Sequence, residues 1–301
     1  MTKTLALVAD VGGTNTRLAL ADADGLVAGS TQRFANAAHD GFAATAQAYL
    51  DGQDTAQPSA MCVAIAGPVT GGKGQLTNRP DWVFDADRLG ADLGIPQVKL
   101  ANDLAALGYA LPDLPPRVIH QIGGAGPQGP QALVVGVATG FNVALCLGDQ
   151  VYEAELGHAS LPSSVMAVLV ANIGNGAQHF TTVESLFCGR GIEQLHQLRG
   201  NPAQPATDIT AQNNGTLDLF AQALGLMCRE LMYQYLPLGG VYFNGSLARA
   251  VLQGQGADKV AGHVAQDAAF DGRFGQVPLS VITEDTAALY GCARVLRLAG
   301  A

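Results

Sequence analysis

The chain has 301 residues, 48% of them hydrophobic and 14% charged, which supplies core material for two ordinary domains or one large one and argues against disorder. Its net charge of −9, with no basic stripe, argues against a surface that tracks nucleic-acid phosphates. Five scattered cysteines without a Cys-x-x-Cys pair point to reduced thiols, not to a disulfide framework or a zinc site.

The opening apolar run is too short for a signal peptide, and no stretch reaches the length of a membrane span, so a cytoplasmic protein is expected. On that reading the sequons at Asn214-Gly-Thr and Asn244-Gly-Ser are chance matches. Leu5 to Ala9 reads as a strand, Asp10-Val-Gly-Gly-Thr-Asn as a glycine turn, and Thr16 to Ala21 as the return strand. A third strand is predicted from Leu26 to Phe34, then a helix from Asp40 to Leu50 and a buried strand from Met61 to Ala66. Val98 to Ala101 is a short strand leading into a helix that starts at Asn102. The run Leu111-Pro-Asp-Leu-Pro-Pro marks a crossing point between domains. Ala132 to Val137, the turn Ala138-Thr-Gly-Phe-Asn and Val143 to Leu147 then repeat the opening theme. A long helix from Leu217 to Tyr235, a strand from Val241 to Phe243 and a closing helix from Thr286 to Leu298 complete the reading. Two hairpins, each opening one half with a glycine-bearing turn, imply a duplicated architecture.

The densest chemistry lies in Asp10-Val-Gly-Gly-Thr-Asn. A carboxylate at a strand end can hold a hydrated Mg²⁺, the backbone at Gly12 and Gly13 can approach phosphates closely, and Thr14 and Asn15 add donors. The same residues also suit an ordinary hairpin turn. Asn102-Asp103, at a helix start, fits an N-cap as readily as a catalytic pair. Glu155 and His158 bracket Gly157 without the further ligands that a zinc site requires. Glu184 fits a solvated first turn of a helix.

In sequence order, Asp10-Val-Gly-Gly-Thr-Asn-Thr-Arg, Ala64-Ile-Ala-Gly-Pro-Val, Leu76-Thr-Asn, Ala101-Asn-Asp-Leu, Gln121-Ile-Gly-Gly-Ala, Ala138-Thr-Gly, Glu155-Leu-Gly-His and Val183-Glu-Ser-Leu resemble the motifs of bacterial glucokinases, sugar kinases of the actin/hexokinase/Hsp70-like superfold. The resemblance implies a two-domain actin-like (ribonuclease H-like) α/β fold with a central cleft and mixed five-stranded sheets. The small domain would be residues 1–110 completed by 286–301, and the large domain 111–285. It further implies that Asp103 is the base acting on the sugar 6-hydroxyl, and that Asn78, Asn102, Asp103, Glu155, His158 and Glu184 bind the sugar. ATP phosphates would lie against Asp10, Gly12, Gly13, Thr14, Asn15, Thr139, Gly140 and Gly245, with Mg²⁺ held indirectly by Asp10 through water. Glucose or a related hexose and ATP are the implied partners, and a homodimer is common in such kinases.

Three segments depart from the family pattern, one of them the opening of the last helix, Glu284-Asp285-Thr286. The second phosphate loop, usually Gly-Thr-Gly-x-Gly, reads Ala138-Thr139-Gly140-Phe141-Asn142, and the adenosine loop keeps one glycine in Phe243-Asn244-Gly245-Ser246. This drift motivates two alternatives, a sugar-binding sensor with weakened catalysis and a kinase for another hexose. A DNA-binding repressor is disfavoured because no helix-turn-helix segment precedes the first glycine turn.

Overall fold

The computed structural model describes residues 4–54, 56–212, 215–266 and 269–300, so the sequon at Asn214 lies outside the described residues. The chain folds as two compact units, Met1–Leu114 with Glu284–Ala301, and Pro115–Thr283.

In the first unit, β1 (Ala6–Val11) and β2 (Asn15–Asp22) form the expected hairpin, with Asp10 opposite Arg17. The single third strand expected over residues 26–34 is instead two short ones, β3 (Gly25–Leu26) and β4 (Gln32–Ala35), paired with the two ends of β2. Between them the backbone turns through Gly29 at φ 77°, and the buried Ser30 hydroxyl donates to Val27 O at 2.7 Å and accepts from Leu20 N at 3.0 Å. Helix α1 (Phe42–Asp51) leads to β5 (Ala60–Ile65), a fully buried strand parallel to β1. A separate three-stranded sheet follows, β6 (Val69–Thr70), β7 (Lys73–Leu76) and β8 (Arg79–Asp85). Helix α2 (Ala86–Leu93) is capped by the Asp85 carboxylate, and β9 (Gln97–Asn102) runs parallel to β5 before α3 (Asp103–Ala110). The main sheet has the order β3-β2-β1-β5-β9 with β4 also on β2, six strands where five were expected, because the third strand is split.

A strand such as β5 can be apolar throughout only if both faces are covered. Leu7, Ala9, Val11, Met61, Val63 and Ile65 pack into a core with Phe42, Tyr49, Trp82 and Phe84. The opposite face receives the helix Ala287–Leu298, whose Cys292 thiol donates to Ala9 O at 3.4 Å.

The second unit repeats this plan. After the edge strand β10 (Ile119–Gly123), β11 (Gln131–Val137), β12 (Phe141–Leu147) and β13 (Gln150–Glu153) form an antiparallel meander. Helices α4 (Ser163–Ile173), α5 (Val183–Leu186), α6 (Gly189–Leu198), α7 (Ala206–Ala211) and α8 (Gly215–Tyr235) come next. Then β14 (Gly240–Asn244) runs parallel to β11, α9 (Ser246–Leu252) and α10 (Gly256–Ala265) follow, and β15 (Leu279–Ile282) lies parallel to β14. The order β10-β15-β14-β11-β12-β13 contains the expected five-strand core, and β10 is a sixth strand added antiparallel to the outer edge of β15. Among the described residues no helix is long and apolar enough to cross a membrane, and all five cysteines are buried and unpaired by disulfides.

Candidate active site

In the first unit the parallel register puts three loops at one sheet edge. Ile65 is opposite Val11 on β1 and opposite Asn102 on β9, so the chain leaves the sheet at the same level on three adjacent strands. At about 4.8 Å per strand, Val11 and Asn102 are ~10 Å apart. The carboxyl ends of adjacent parallel strands are where open α/β sheets place their ligands. The glycine turn at Asp10 and the Asn102-Asp103 pair are therefore neighbours on one edge.

The Asp10 turn is closed by Gly12 N donating to Asn15 O at 3.0 Å. It is held from behind by Asn36, a fully buried residue just past β4. Asn36 Nδ2 donates to Gly12 O at 2.8 Å, its Oδ1 accepts from Thr16 Oγ1 at 2.8 Å, and its backbone amide donates to Thr14 O at 2.9 Å. Arg33 Nε donates to Asn15 Oδ1 at 3.1 Å. Arg17 spans two carboxylates, with Nη1 donating to Asp10 at 3.2 Å and Nη2 to Asp285 at 2.9 Å. Burial nevertheless pushes the Asp10 carboxyl up to about 6, against the pull of Arg17 and with a further push from Asp285. A largely buried carboxylate at the mouth of a glycine turn can hold a hydrated Mg²⁺, which binds through one or two carboxylates plus substrate phosphates. Among the described residues no cluster of three or more metal-ligating side chains exists.

Asn102, not Asp103, caps α3: its Oδ1 accepts from Leu104 N at 2.9 Å and Ala105 N at 3.2 Å, and its Nδ2 donates to Gly67 O at 3.1 Å. Its amide keeps one further hydrogen to donate to a hydroxyl. Asp103 is the first residue of the helix and half-buried, with Oδ1 accepting from Leu104 N at 2.9 Å. Asn78 lies in the β7–β8 turn beside the first glycine turn, so that a Cβ on Gly13 would sit 3.4 Å from Asn78 Cβ. Trp82 belongs to the core, with the Arg79 guanidinium 4.9 Å from its ring centroid.

The second unit carries the other named residues. The Ala138–Gly140 turn is closed by Ala138 N donating to Gly140 O at 2.9 Å, and Ala138 O accepts from Gly189 N at 3.0 Å. Both departures from glycine are thus accommodated without loss of the turn. Glu184, in the first turn of α5, accepts the Phe141 amide at 3.1 Å. Glu155 and His158 lie exposed on the turn that Gly157 presses against Phe141, where a Cβ on Gly157 would come 3.3 Å from Glu184 Oε2. The three residues therefore share one loop cluster. Thr139 also borders a cavity of about 280 Å³, lined among others by Arg190, Glu193, Thr207, Ser246 and Ala250. Gly245 sits beside this cavity at φ 110°, where a Cβ would lie 2.4 Å from Val137 O, so the one glycine kept in that loop is obligatory. A larger groove of about 630 Å³ lies by α2 and the start of β9, at the edge of the sheet opposite Asp103.

Arg17, Asn36 and the cavity-lining residues of α6, α7 and α9 were not singled out from sequence. Arg17 lay within a quoted motif, but its two carboxylate partners are set by strand register. Asn36 is buried by pairing over 20 residues, which no local pattern announces.

The family model for Glucokinase matches residues 7–299. A glucokinase of Xanthomonas euvesicatoria pv. vesicatoria is 29% identical over 320 residues, covering 95% of this chain and 93% of that protein. The crystal structure of a glucokinase from an Antarctic psychrotroph superposes with a TM-score of 0.81 at 27% identity, over 98% of this chain and 99% of that one. The structure of the Balamuthia mandrillaris glucokinase in complex with glucose gives a TM-score of 0.73 at 20% identity, over 98% and 94% of the two chains. The motif order, the doubled sheet plan and these matches place the chain in one group: it belongs to the glucokinase family.

Proposed function

We propose that the chain transfers the terminal phosphoryl group of ATP to the 6-hydroxyl of glucose, giving glucose 6-phosphate and ADP. The observation that carries this reading is the register row Val11, Ile65, Asn102, by which the Asp10 glycine turn and the Asn102-Asp103 pair flank β5 at one sheet edge. Phosphoryl transfer needs positioning, charge neutralisation and a base near the attacking hydroxyl, and little else from the protein. Asp103 accepts the proton of the 6-hydroxyl, and Asn102 donates its remaining amide hydrogen to the sugar.

Glu155, His158 and Glu184 take the other hydroxyls. Carboxylates discriminate among sugars because a missing or inverted hydroxyl leaves a buried acceptor unpaired. Asn78 borders the same edge. The backbone of Gly12, Gly13, Thr139 and Gly140, with Thr14 and Asn15, receives the phosphates, and the 280 Å³ cavity beside Thr139 and Gly245 receives the nucleoside. Mg²⁺, when bound near Asp10, supplies positive charge to the phosphate oxygens.

The test is turnover of D103A with calorimetric glucose binding alongside it. ADP release falling by roughly a thousandfold or more, with glucose affinity within about threefold, is the expected result. Turnover retained in D103A removes the base assignment. A panel of hexoses against ATP identifies the preferred sugar.

A further inference from the structure

We infer that Asn142, at the position where the family pattern carries glycine, is a positioning residue that fixes the Glu155 carboxylate for sugar binding; the inference rests on the reading of Glu155 as a sugar ligand. Asn142 is the second residue of β12, directly after Phe141, and lies opposite Gly136. Its Nδ2 donates to Glu155 Oε2 at 3.1 Å, and its Oδ1 accepts from Leu156 N at 3.0 Å. The same Oδ1 accepts from its own neighbour Val143 N at 2.9 Å, which locks the amide orientation. One side chain therefore grips both the carboxylate of residue 155 and the backbone that follows it.

The chemistry of this grip matters. Glu155 is otherwise exposed on a short turn, where a free carboxylate samples several rotamers and pays entropy to bind. An amide donor restrains it through one of about four lone-pair sites and leaves the others for hydroxyls. A lysine or arginine partner would compete with the sugar for that charge, and the amide does not. Glycine can make neither bond. The preceding residue restrains the other carboxylate, since Phe141 N donates to Glu184. Two consecutive residues thus mount both glutamates of the sugar half-site on the second glycine turn.

The test compares N142D, N142G and E155A, singly and as double variants, by glucose KM, kcat, ATP KM and thermal midpoint. N142D keeps the Oδ1 acceptor but sets a carboxylate against Glu155; N142G removes both bonds without adding charge. The inference expects glucose KM to rise roughly tenfold in both, with kcat and ATP KM within about twofold. In the E155A background, either substitution at 142 should change glucose KM by less than about twofold. Full-sized effects persisting without Glu155, or an unchanged KM in N142D and N142G while E155A is impaired, overturn the positioning role. An unchanged KM in E155A itself overturns the assignment of Glu155 and the inference with it.

Discussion

Glu184 Oε2 lies so close to Gly140 that a Cβ on the glycine would come within 2.5 Å of it. The second glycine turn and a proposed sugar ligand therefore press on one another. Replacing Gly140 by Ala displaces the carboxylate, because the far end of a side chain yields more easily than backbone. G140A is expected to raise glucose KM roughly tenfold while the thermal midpoint moves by only about a degree or two. Steady-state kinetics and thermal melts check this. A large loss of stability with unchanged KM would show that the backbone gives way instead.

Asp10 gives a pH signature. Burial raises its carboxyl to about 6 in the folded chain, against an ordinary value of 3.8. A carboxyl whose affinity for protons rises on folding stabilises the fold when protonated, and that contribution is lost as pH rises through 6. In magnesium-free buffer the wild type should therefore gain about 1 kcal/mol between pH 7 and pH 5 relative to D10N. Urea unfolding of both proteins across this range measures the difference, and parallel curves would contradict the placement of Asp10.

The cavity beside Thr139 admits a direct steric test. Ala250 is exposed on α9 and lines that cavity, so a larger side chain fills it without disturbing the core. A250F is expected to raise ATP KM about tenfold or more and to leave calorimetric glucose affinity unchanged. An unaltered ATP KM would move the nucleoside elsewhere.

Gly291 fixes the approach of the helix 287–298 to α3. A Cβ there would fall 1.7 Å from Ala106 O and 3.1 Å from Ala110 N, both backbone atoms that cannot step aside singly. G291A must separate two helices and is expected to cost about 3 kcal/mol by urea unfolding. Because α3 begins at Asp103, kcat should fall together with stability.

Much of this was legible in the sequence because the key groups lie in contiguous motifs at strand ends. Asp10 to Asn15 follows the apolar run Leu5 to Ala9, and Asn102-Asp103 follows the strand-like stretch Val98 to Ala101, so their place at strand ends could be read directly. The split of the third strand could not, since it depends on the Ser30 hydroxyl finding partners on Val27 and Leu20. The small sheet at residues 69–85 escaped for a different reason: β6 and β7 are only two and four residues long, Gly74 interrupts β7, and β8 opens on Arg79-Pro-Asp, which reads as a turn. Asn142 stood out as an oddity of sequence, and only its hydrogen bonds to Glu155 and Leu156 turned that oddity into a role.

The helix 287–298 covers one face of a sheet whose strands all come from the first 102 residues. During synthesis those strands emerge long before their cover does, with the whole of residues 115–283 made in between. The first unit must therefore wait, its apolar face open, while the second completes its own core. Apolar surface left uncovered in that interval is open to contacts with other chains. A permuted gene that joins this helix directly ahead of β1 would remove the wait.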